Sequence, residues 1–311
     1  MGIDKWLALG QTATELGLVN ALTVLSLFLS YSMLNVCDLS TDGCFTLGAA
    51  VGSLVAIAGL PWLSLPAAML AGMLSGFVTA TLQTRMGVQS LLAGIVVNTG
   101  LYSVNMALTG NKATLAMNKT TTVFTMAKDL LKNTPLAGQS TLIVMLIVTA
   151  LVVLFLCAFL KTKLGLAIRA TGSNADMVRS SSINPTFTTT VGLCVSNAFT
   201  ALSGCLMAQQ AKSFDINMGS GMVTVALASL LIGGVFFGKH RPVPLRAVGA
   251  VLGAFLFRLV YGLALRLDMP AFMLKLVSSV IVVIAISGPY LRQQVPLMVR
   301  RWRAAREGRD G

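Results

Sequence analysis

Long runs of apolar residues, separated by short polar stretches, dominate the pattern along this chain. A membrane-spanning helix needs about 20 mostly apolar residues at 1.5 Å each, and runs close to that length recur throughout the sequence. The pattern predicts an all-α polytopic membrane protein, a bundle of about 8–10 transmembrane helices. The apolar segments are 16–36, 43–59, 62–83, 89–109, 141–160, 188–209, 222–238, 247–264 and 271–290.

Composition and the polar stretches refine this picture. Of 311 residues, 55% are hydrophobic and 11% are charged, whereas soluble domains carry roughly a quarter of their residues as charged side chains. A transmembrane β-barrel would show short alternating segments instead. We expect a single transmembrane domain over 1–291 and a basic tail over 292–311. The polar stretch at 110–140 contains VFTMAKDLLK, which predicts a short amphipathic helix on the membrane surface.

The net charge of +13 arises mostly from basic residues at the ends of apolar segments. They form no basic patch interleaved with aromatic residues, so we expect no nucleic-acid partner and interpret the charge through the positive-inside rule. With the 161–187 loop and the C-terminal tail in the cytoplasm, about twice as many basic residues lie inside as outside. The 110–140 loop then carries its lysines outside. Nine spans place the N-terminus outside, and a re-entrant segment or an additional crossing places it inside.

The stretch NVCDLSTDG at 35–43 separates the first two apolar segments by only a few residues. It places Asp38 and Asp42 between two membrane segments. Non-helical backbone at membrane depth occurs only where it is buried in protein or lines a wet cavity. The stretch is therefore either an ordinary interfacial loop or a break inside the bundle, and the sequence favours neither.

Glycines four residues apart occur in three apolar segments. Small residues at this spacing let helix backbones approach closely in lipid, where no hydrophobic force drives helices together. The spacing supports a tightly packed bundle and identifies no particular partner. The pairs are Gly48/Gly52, Gly72/Gly76 and Gly249/Gly253.

Residues suited to catalysis are scarce. The chain has one histidine, His240, and no H-E-x-x-H or G-x-S-x-G motif. Residues 233–239, GGVFFGK, match the first part of a phosphate-binding loop, but a histidine follows where Ser or Thr would bind magnesium, and no strand precedes it. The five cysteines include no C-x-x-C, which indicates free packed thiols. We expect no enzymatic activity, and no metal or cofactor bound by this chain.

Polar residues inside the apolar segments are candidates for a substrate path. Arg258 falls well inside the eighth segment, where a lone charge costs at least about 2.5–3.5 kcal/mol. It either meets an anionic substrate group, pairs with Asp38 or Asp42, or reaches the interface. The amides either line a path or form interhelical hydrogen bonds. The candidates are Asp38, Asn98, Asn105, Asn197 and Arg258, with Gln209 and Gln210 as further polar positions.

The loop KTKLGLAIRATGSNADMVRSSSINP is a polar, basic interruption in an apolar chain. Ser173 followed by Asp176 has the spacing of a capping box, and a proline ends the stretch. We predict a short helix over 174–182, parallel to the membrane, approached through a segment loosened by Gly165 and Gly172. A rigid polar helix under a bundle suits the docking of a soluble partner, and a solvated loop fits the same residues equally well.

The same stretch resembles the cytoplasmic signature of ABC importer permeases of the branched-chain amino acid and ribose type. That signature is a T-x-x-G-x-x-x-R-A-x-G-x-N run followed by an arginine and Ile-Asn. Upstream, GLVNALTVLSLFLSYSMLNVCDLSTDGCFTLGAAVGSL resembles the N-terminal helix pair, with DLSTDG closer to the sugar members. Downstream, ALSGCLMA and VALASLLIGGVFFG resemble the paired late helices. The matching loop residues are Thr162, Gly165, Arg169, Ala170, Gly172, Asn174, Arg179, Ile183 and Asn184.

This resemblance implies a permease subunit of an ATP-driven ABC uptake transporter in the bacterial cytoplasmic (inner) membrane, with a cytoplasmic C-terminus. It implies a second permease copy, an ATP-binding subunit that uses ATP and Mg, and an extracellular or lipid-anchored solute-binding protein. The expected solute is an amino acid, with a sugar or nucleoside as the alternative. The loop residues assigned to ATPase coupling are Thr162, Gly165, Arg169, Ala170, Gly172, Ser173, Asn174, Asp176 and Arg179.

The chain departs from the family pattern at one place, and one rival reading of its function stays open. Met177 and the serines at 180–182 stand where the family usually has small and apolar residues, so the fit to an ATPase groove is weakest there. The rival reading is an ion-coupled secondary transporter, which would favour paired intramembrane acids and an inverted repeat. Asp38 and Asp42 are the local acids, and no convincing repeat is detected.

Overall fold

The computed structural model describes residues 3–118, 120–130, 132, 139–237 and 241–266, with the single residues 276, 279, 280, 283 and 287. Nearly all of them are helical. In chain order the helices are α1 Ile3–Leu27, continued by a π-helix Phe28–Met33, α2 Thr41–Ile57, α3 Pro61–Thr84, α4 Ser90–Leu108, α5 Val123–Leu130, α6 Ser140–Lys161, α7 Lys163–Ser173, α8 Ala175–Ser180, α9 Pro185–Ala211, α10 Met222–Phe236 and α11 Val243–Arg266, with strands β1 Thr114–Ala116 and β2 Ser213–Asp215.

The helices confirm the predicted fold class. Six are long and apolar enough to cross a membrane, and α2 and α10 are shorter apolar helices. Each corresponds to one predicted apolar segment, and the predicted amphipathic helix is α5. The ninth predicted segment, 271–290, lies outside the described residues apart from single helical positions, and so does the whole of the tail 292–311.

Local sequence explains where several helices begin and end. Proline occupies the first position of α3 and of α9, where its missing N–H costs nothing because that group has no intrahelical acceptor. Gly59, with φ +86°, follows α2 and supplies a left-handed conformation that glycine adopts readily. Lys212, with φ +50°, ends α9 in the same way.

Helix α9 lies at the centre of the bundle and packs against α1, α2 and α3. Glycines allow these close approaches, as the four-residue spacings predicted. A Cβ on Gly48 would overlap the backbone of Ala201, and one on Gly72 or Gly76 would overlap α9 backbone carbonyls. These contacts fix α2 and α3 against α9 at backbone distance.

The two ends of the bundle differ. At the end where α9 finishes, β1 and β2 pair antiparallel, with Thr114 opposite Asp215, and their apolar side chains pack over α2 and α9. At the end where α9 begins, α7 and α8 pack beneath the π-helix and α9. We call these the β-sheet end and the α7–α8 end. The small sheet was not predicted from the sequence.

Candidate functional site

The break between the π-helix and α2 lies deep in the bundle. Asn197 is near the middle of α9, and its side-chain Nδ2 donates to Oδ2 of Asp38 at 2.8 Å. The Sγ atom of Cys44 donates to the backbone carbonyl of Asn197 at 3.3 Å. Asp38 is 1% exposed and Ser40 is fully buried. Helix α2 therefore begins at about half the depth of the bundle. The structure favours a buried break over an interfacial loop, as non-helical backbone at membrane depth requires.

Asp38 holds this break together. Its Oδ1 accepts hydrogen bonds from the backbone N–H of Ser40 at 2.8 Å and from the Ser40 hydroxyl at 2.6 Å. The Ser40 hydroxyl also accepts from Thr79 on α3 at 3.3 Å. The Asp38 carboxylate thus joins the break to α9 and, through Ser40, to α3. This is the geometry of a structural cluster, because both carboxylate oxygens hold groups from different parts of the bundle.

Helix α10 also begins at half depth, and Asp42 caps it. The residue before α10, Gly221, has φ +85° and no side chain to accept from the first N–H groups of the helix. Asp42, in the first turn of α2, accepts from the Gly221 N–H at 2.9 Å and the Val223 N–H at 2.8 Å. A Cβ on Gly219 would overlap the Asp42 carbonyl oxygen. Two of the shorter apolar helices therefore meet at their N-termini around one carboxylate, which suits the positive ends of both helix dipoles.

A polar cavity of about 190 Å³ opens at this junction. We call it the Asp42 cavity. Asn105 on α4 stays close to α2 by donating to the Gly43 carbonyl at 3.3 Å. The lining offers amide, hydroxyl and carboxylate groups and includes no basic side chain, so it suits a small polar solute. It consists of Asp42, Gly43 and Thr46 from α2, Asn98, Thr99, Tyr102 and Asn105 from α4, and Ile216, Asn217 and Ser220 from the segment before α10.

The structure places the predicted path residues in different parts of the bundle. Asn98 and Asn105 line the Asp42 cavity. Asp38 and Asn197 bond to each other behind it and are not part of its lining. The polar lining residues that sequence reasoning missed are Thr46, Thr99, Tyr102, Asn217 and Ser220, and Asp42 had been considered as a partner for Arg258 and as one of two acids of an ion-coupled transporter. Thr99 and Tyr102 follow Asn98 by one and four residues, so the three side chains lie on neighbouring parts of one face of α4. This spacing of polar residues could have been recognised in the sequence.

Arg258 lies away from both acids. Its guanidinium stands 5.3 Å from the ring centre of Tyr261, a cation–π contact, and its Nε has no hydrogen-bond partner. Asp38 bonds to Asn197, and Asp42 caps α10. Within the described part of the chain Arg258 forms no ion pair, so the predicted pairing with Asp38 or Asp42 is wrong.

The 161–187 loop forms two short helices instead of the one predicted. Ser173 is the last residue of α7, and the cap of α8 is Asn174, whose Oδ1 accepts from the Met177 N–H at 3.0 Å. The predicted capping box between Ser173 and Asp176 is therefore wrong, and α8 ends at Ser180, not at Ser182. Ser173 has helical geometry as the last residue of α7, and the backbone becomes extended at Asn174. Asn174 therefore occupies the N-cap position of α8.

The glycines in α7 are contact points and not loosening elements, so that prediction is also corrected. A Cβ on Gly165 would overlap Phe159 and Leu160, and one on Gly172 would overlap the carbonyl of Met33 in the π-helix. Buried side chains of Ile168 and Val178 anchor the two helices from inside. Their outer face is polar and basic. The exposed predicted residues are Thr162, Arg169, Ala170, Ser173, Asn174, Asp176 and Arg179.

Comparisons with known proteins agree with this architecture. The sequence model of the family described as "Branched-chain amino acid transport system / permease component" matches residues 13–286. A tyrosine transport system permease protein of Clostridioides difficile is 30% identical over 275 residues, 86% of each chain. An uncharacterized protein of Rickettsia prowazekii is 28% identical, over 89% of this chain and 96% of that protein. An autoinducer 2 import system permease protein of Yersinia enterocolitica is 25% identical, over 77% of this chain and 63% of that protein. No solved structure matches significantly.

Proposed function

The chain belongs to this family of transport permeases, as a multi-pass membrane protein and not an enzyme, and we propose that it is the membrane-spanning subunit of an ATP-driven ABC importer for an amino acid. The observation that carries the proposal is the Asp42 cavity. A polar site at half depth, where two shorter helices begin, is what a translocation path needs in an apolar bundle.

The proposed orientation places the α7–α8 end in the cytoplasm and the β-sheet end outside. The positive-inside bias supports it, with about twice as many basic residues on the α7–α8 side. The N-terminal helix then begins outside, as the nine-span reading predicts. A ninth span over 271–290 would return the chain to the cytoplasm and leave the basic tail there. Residues 1–291 form one permease domain in this proposal.

The exposed face of α7 and α8 is the proposed docking surface for an ATP-binding subunit. It combines two arginines, Arg169 and Arg179, with the exposed apolar side chain of Met177, 67% exposed. Rigid anchoring through Ile168 and through a 2.8 Å hydrogen bond between Thr171 and Thr188 would let this surface move with α9. ATP and Mg would act only in the partner subunit.

Three further partners complete the proposal. A second copy of the permease would form the other wall of the path. An extracellular or lipid-anchored solute-binding protein would dock at the β-sheet end. The solute is proposed to be an amino acid because the relative with the highest identity reported above is named a tyrosine transport permease, and because the Asp42 carboxylate and neighbouring amides offer acceptors for an ammonium group.

The test is co-purification of the permease with a candidate ATP-binding subunit, followed by ATP hydrolysis and uptake in vesicles with and without loaded binding protein. Tyrosine, phenylalanine, leucine and ribose are compared as solutes. We expect hydrolysis to rise with loaded binding protein, and Arg169→Glu or Arg179→Glu to release the ATPase while the bundle stays inserted. Uptake that ignores ATP and follows a proton gradient would establish the ion-coupled alternative instead.

A further inference from the structure

A second cavity lies at the α7–α8 end, far along α10 from the Asp42 cavity. It has a volume of about 220 Å³ and lies between the π-helix region, α10 and the start of α11. We call it the Arg246 cavity. Among the described residues, its lining is apolar except for Ser32, the Tyr31 hydroxyl and one charged side chain, Arg246. The lining residues are Phe28, Tyr31, Ser32, Leu230, Leu231, Gly234, Val235, Phe237 and Arg246.

The charge in this cavity has no acidic partner within the described part of the chain. Arg246 Nη2 donates to the Ser32 hydroxyl at 2.6 Å, and the guanidinium stands 5.4 Å from the ring centre of Phe28. Both contacts are to neutral groups. A half-buried cation without an acidic partner favours an anion beside it.

The start of α11 adds to the positive potential. Arg246 lies in the first turn of this helix, where its backbone N–H bonds to the Pro242 carbonyl. Helix N-termini carry partial positive charge, which makes a cation in the first turn unfavourable and an anion favourable. The helix end and Arg246 therefore act on the same space with the same sign.

The mouth of the cavity faces outward. Tyr31 and Val235 are 42% and 50% exposed, and Gly234 beside them leaves open space, since a Cβ there would meet nothing within 4 Å. An occupant with a charged head and a long apolar portion could therefore enter from the surrounding membrane. The apolar lining from Leu230 and Leu231 is suited to a hydrocarbon chain.

We propose that the Arg246 cavity binds an anionic phospholipid, with its phosphate at Arg246 and an acyl chain along Gly234 and Leu231. Basic pockets between transmembrane helices suit anionic headgroups. A second copy of this chain is a poorer occupant, because a two-fold interface through this face would bring two copies of Arg246 together. The lipid would lie between the π-helix region, α10 and the start of α11. This inference rests on membrane insertion and not on transport.

The experiment measures lipid binding to the full-length permease in mild detergent by native mass spectrometry, with phosphatidylglycerol and phosphatidylcholine as probes. Wild-type protein should retain phosphatidylglycerol preferentially. Arg246→Gln, which removes the charge, should weaken phosphatidylglycerol binding about fivefold, the effect of one basic residue at a membrane surface. Arg85→Gln makes the same charge change at the exposed end of α3 and should leave binding unchanged.

Substitutions of Gly234 test the acyl-chain part. Gly234→Leu fills the open space without altering charge and should prevent phosphatidylglycerol binding, with Gly234→Ala intermediate. Equal retention of the two lipids, or wild-type binding by both Arg246→Gln and Gly234→Leu, would overturn the proposal. Competition by glycerol phosphate as strong as by the whole lipid would show a simple anion site and overturn it too. Conversion from dimer to monomer in these variants with unchanged lipid binding would assign the cavity to a contact between copies.

Discussion

The pairing of Asp38 with Asn197 makes a sharp prediction, because two substitutions of one residue should behave very differently. Asp38→Ala removes the acceptor for the Asn197 Nδ2 group and for the Ser40 backbone N–H. Both donors lie in the buried interior. Asp38→Asn keeps one side-chain oxygen, and the Oδ1 atom of Asn197 has no partner at present. A rotated Asn197 amide can therefore accept from the new side-chain amide at position 38.

The magnitudes follow from these contacts. An unsatisfied buried donor costs about 1–3 kcal/mol, so Asp38→Ala should lower the free energy of unfolding by about 2–6 kcal/mol. Asp38→Asn should cost less than about 1.5 kcal/mol, because the pair reforms with neutral partners. In the cycle of Asp38→Ala, Asn197→Ala and the double variant, the interaction energy should exceed the average of about 0.6 kcal/mol for interhelical bonds in membranes and approach about 1.7 kcal/mol.

Unfolding by SDS in detergent micelles measures these differences, with thiol labelling of Cys44 and Cys205 as the signal. Both side chains are fully buried and become reactive only when the bundle opens. The three partly exposed cysteines are replaced by serine in every variant. If Asp38→Asn proves as costly as Asp38→Ala, or if the interaction energy is near zero, the Asp38–Asn197 bond does not hold the break in place.

Three further predictions concern the site, the packing and the proposed docking surface. Asp42→Ala removes the acceptor for two N–H groups at the start of α10, so hydrogen exchange of the amides at 221–223 should quicken about tenfold, and unchanged exchange would show that Asp42 is not the cap. Gly48→Ala forces a Cβ into the α9 backbone and should cost about 1–3 kcal/mol of unfolding free energy, whereas Gly100→Ala, which meets nothing within 4 Å, should be neutral or stabilising in the same titration. Asn174→Ala removes the cap of α8 and should weaken co-purification of the ATP-binding subunit, whereas Ser173→Ala should leave it unchanged. A loss of co-purification with Ser173→Ala and not with Asn174→Ala would instead support the capping box predicted from the sequence.

The sequence predicts the helices well, because membrane insertion leaves a strong one-dimensional signal. Each described apolar helix from α1 to α11 corresponds to a segment drawn from hydropathy, within a few residues at most ends. The amphipathic helix α5 was also evident, since its polar and apolar residues alternate at helical spacing. The glycine pairs correctly predicted close helix packing. The opposing helices, α9 for two pairs and α10 for Gly249 and Gly253, were not predictable, because a four-residue spacing does not specify them.

The features missed from the sequence depend on contacts between distant residues. The capping of α10 by Asp42 joins positions about 180 residues apart, and no local pattern around Gly221 reveals its acceptor. Helix α7 was read as a loosened approach because Gly165 and Gly172 lower helix propensity. Tertiary contact overrides that preference, since both glycines are needed where other backbone passes at close range. The choice between Ser173 and Asn174 as cap depended on where α7 ends, a boundary the sequence does not mark.

Helix α10 connects the two sites physically. Its first turn is held by Asp42 at the polar cavity, and its far end contributes Leu230, Leu231 and Val235 to the Arg246 cavity. With 15 residues it spans about 22 Å. Displacement of the segment 216–221, which continues from β2 and lines the Asp42 cavity, would therefore tilt α10 as one rigid body. That tilt would change the space around Arg246 at the far end of the helix. Helix α10 thus offers a mechanical connection between the Asp42 cavity and the α7–α8 end, and loss of the Asp42 cap should uncouple them.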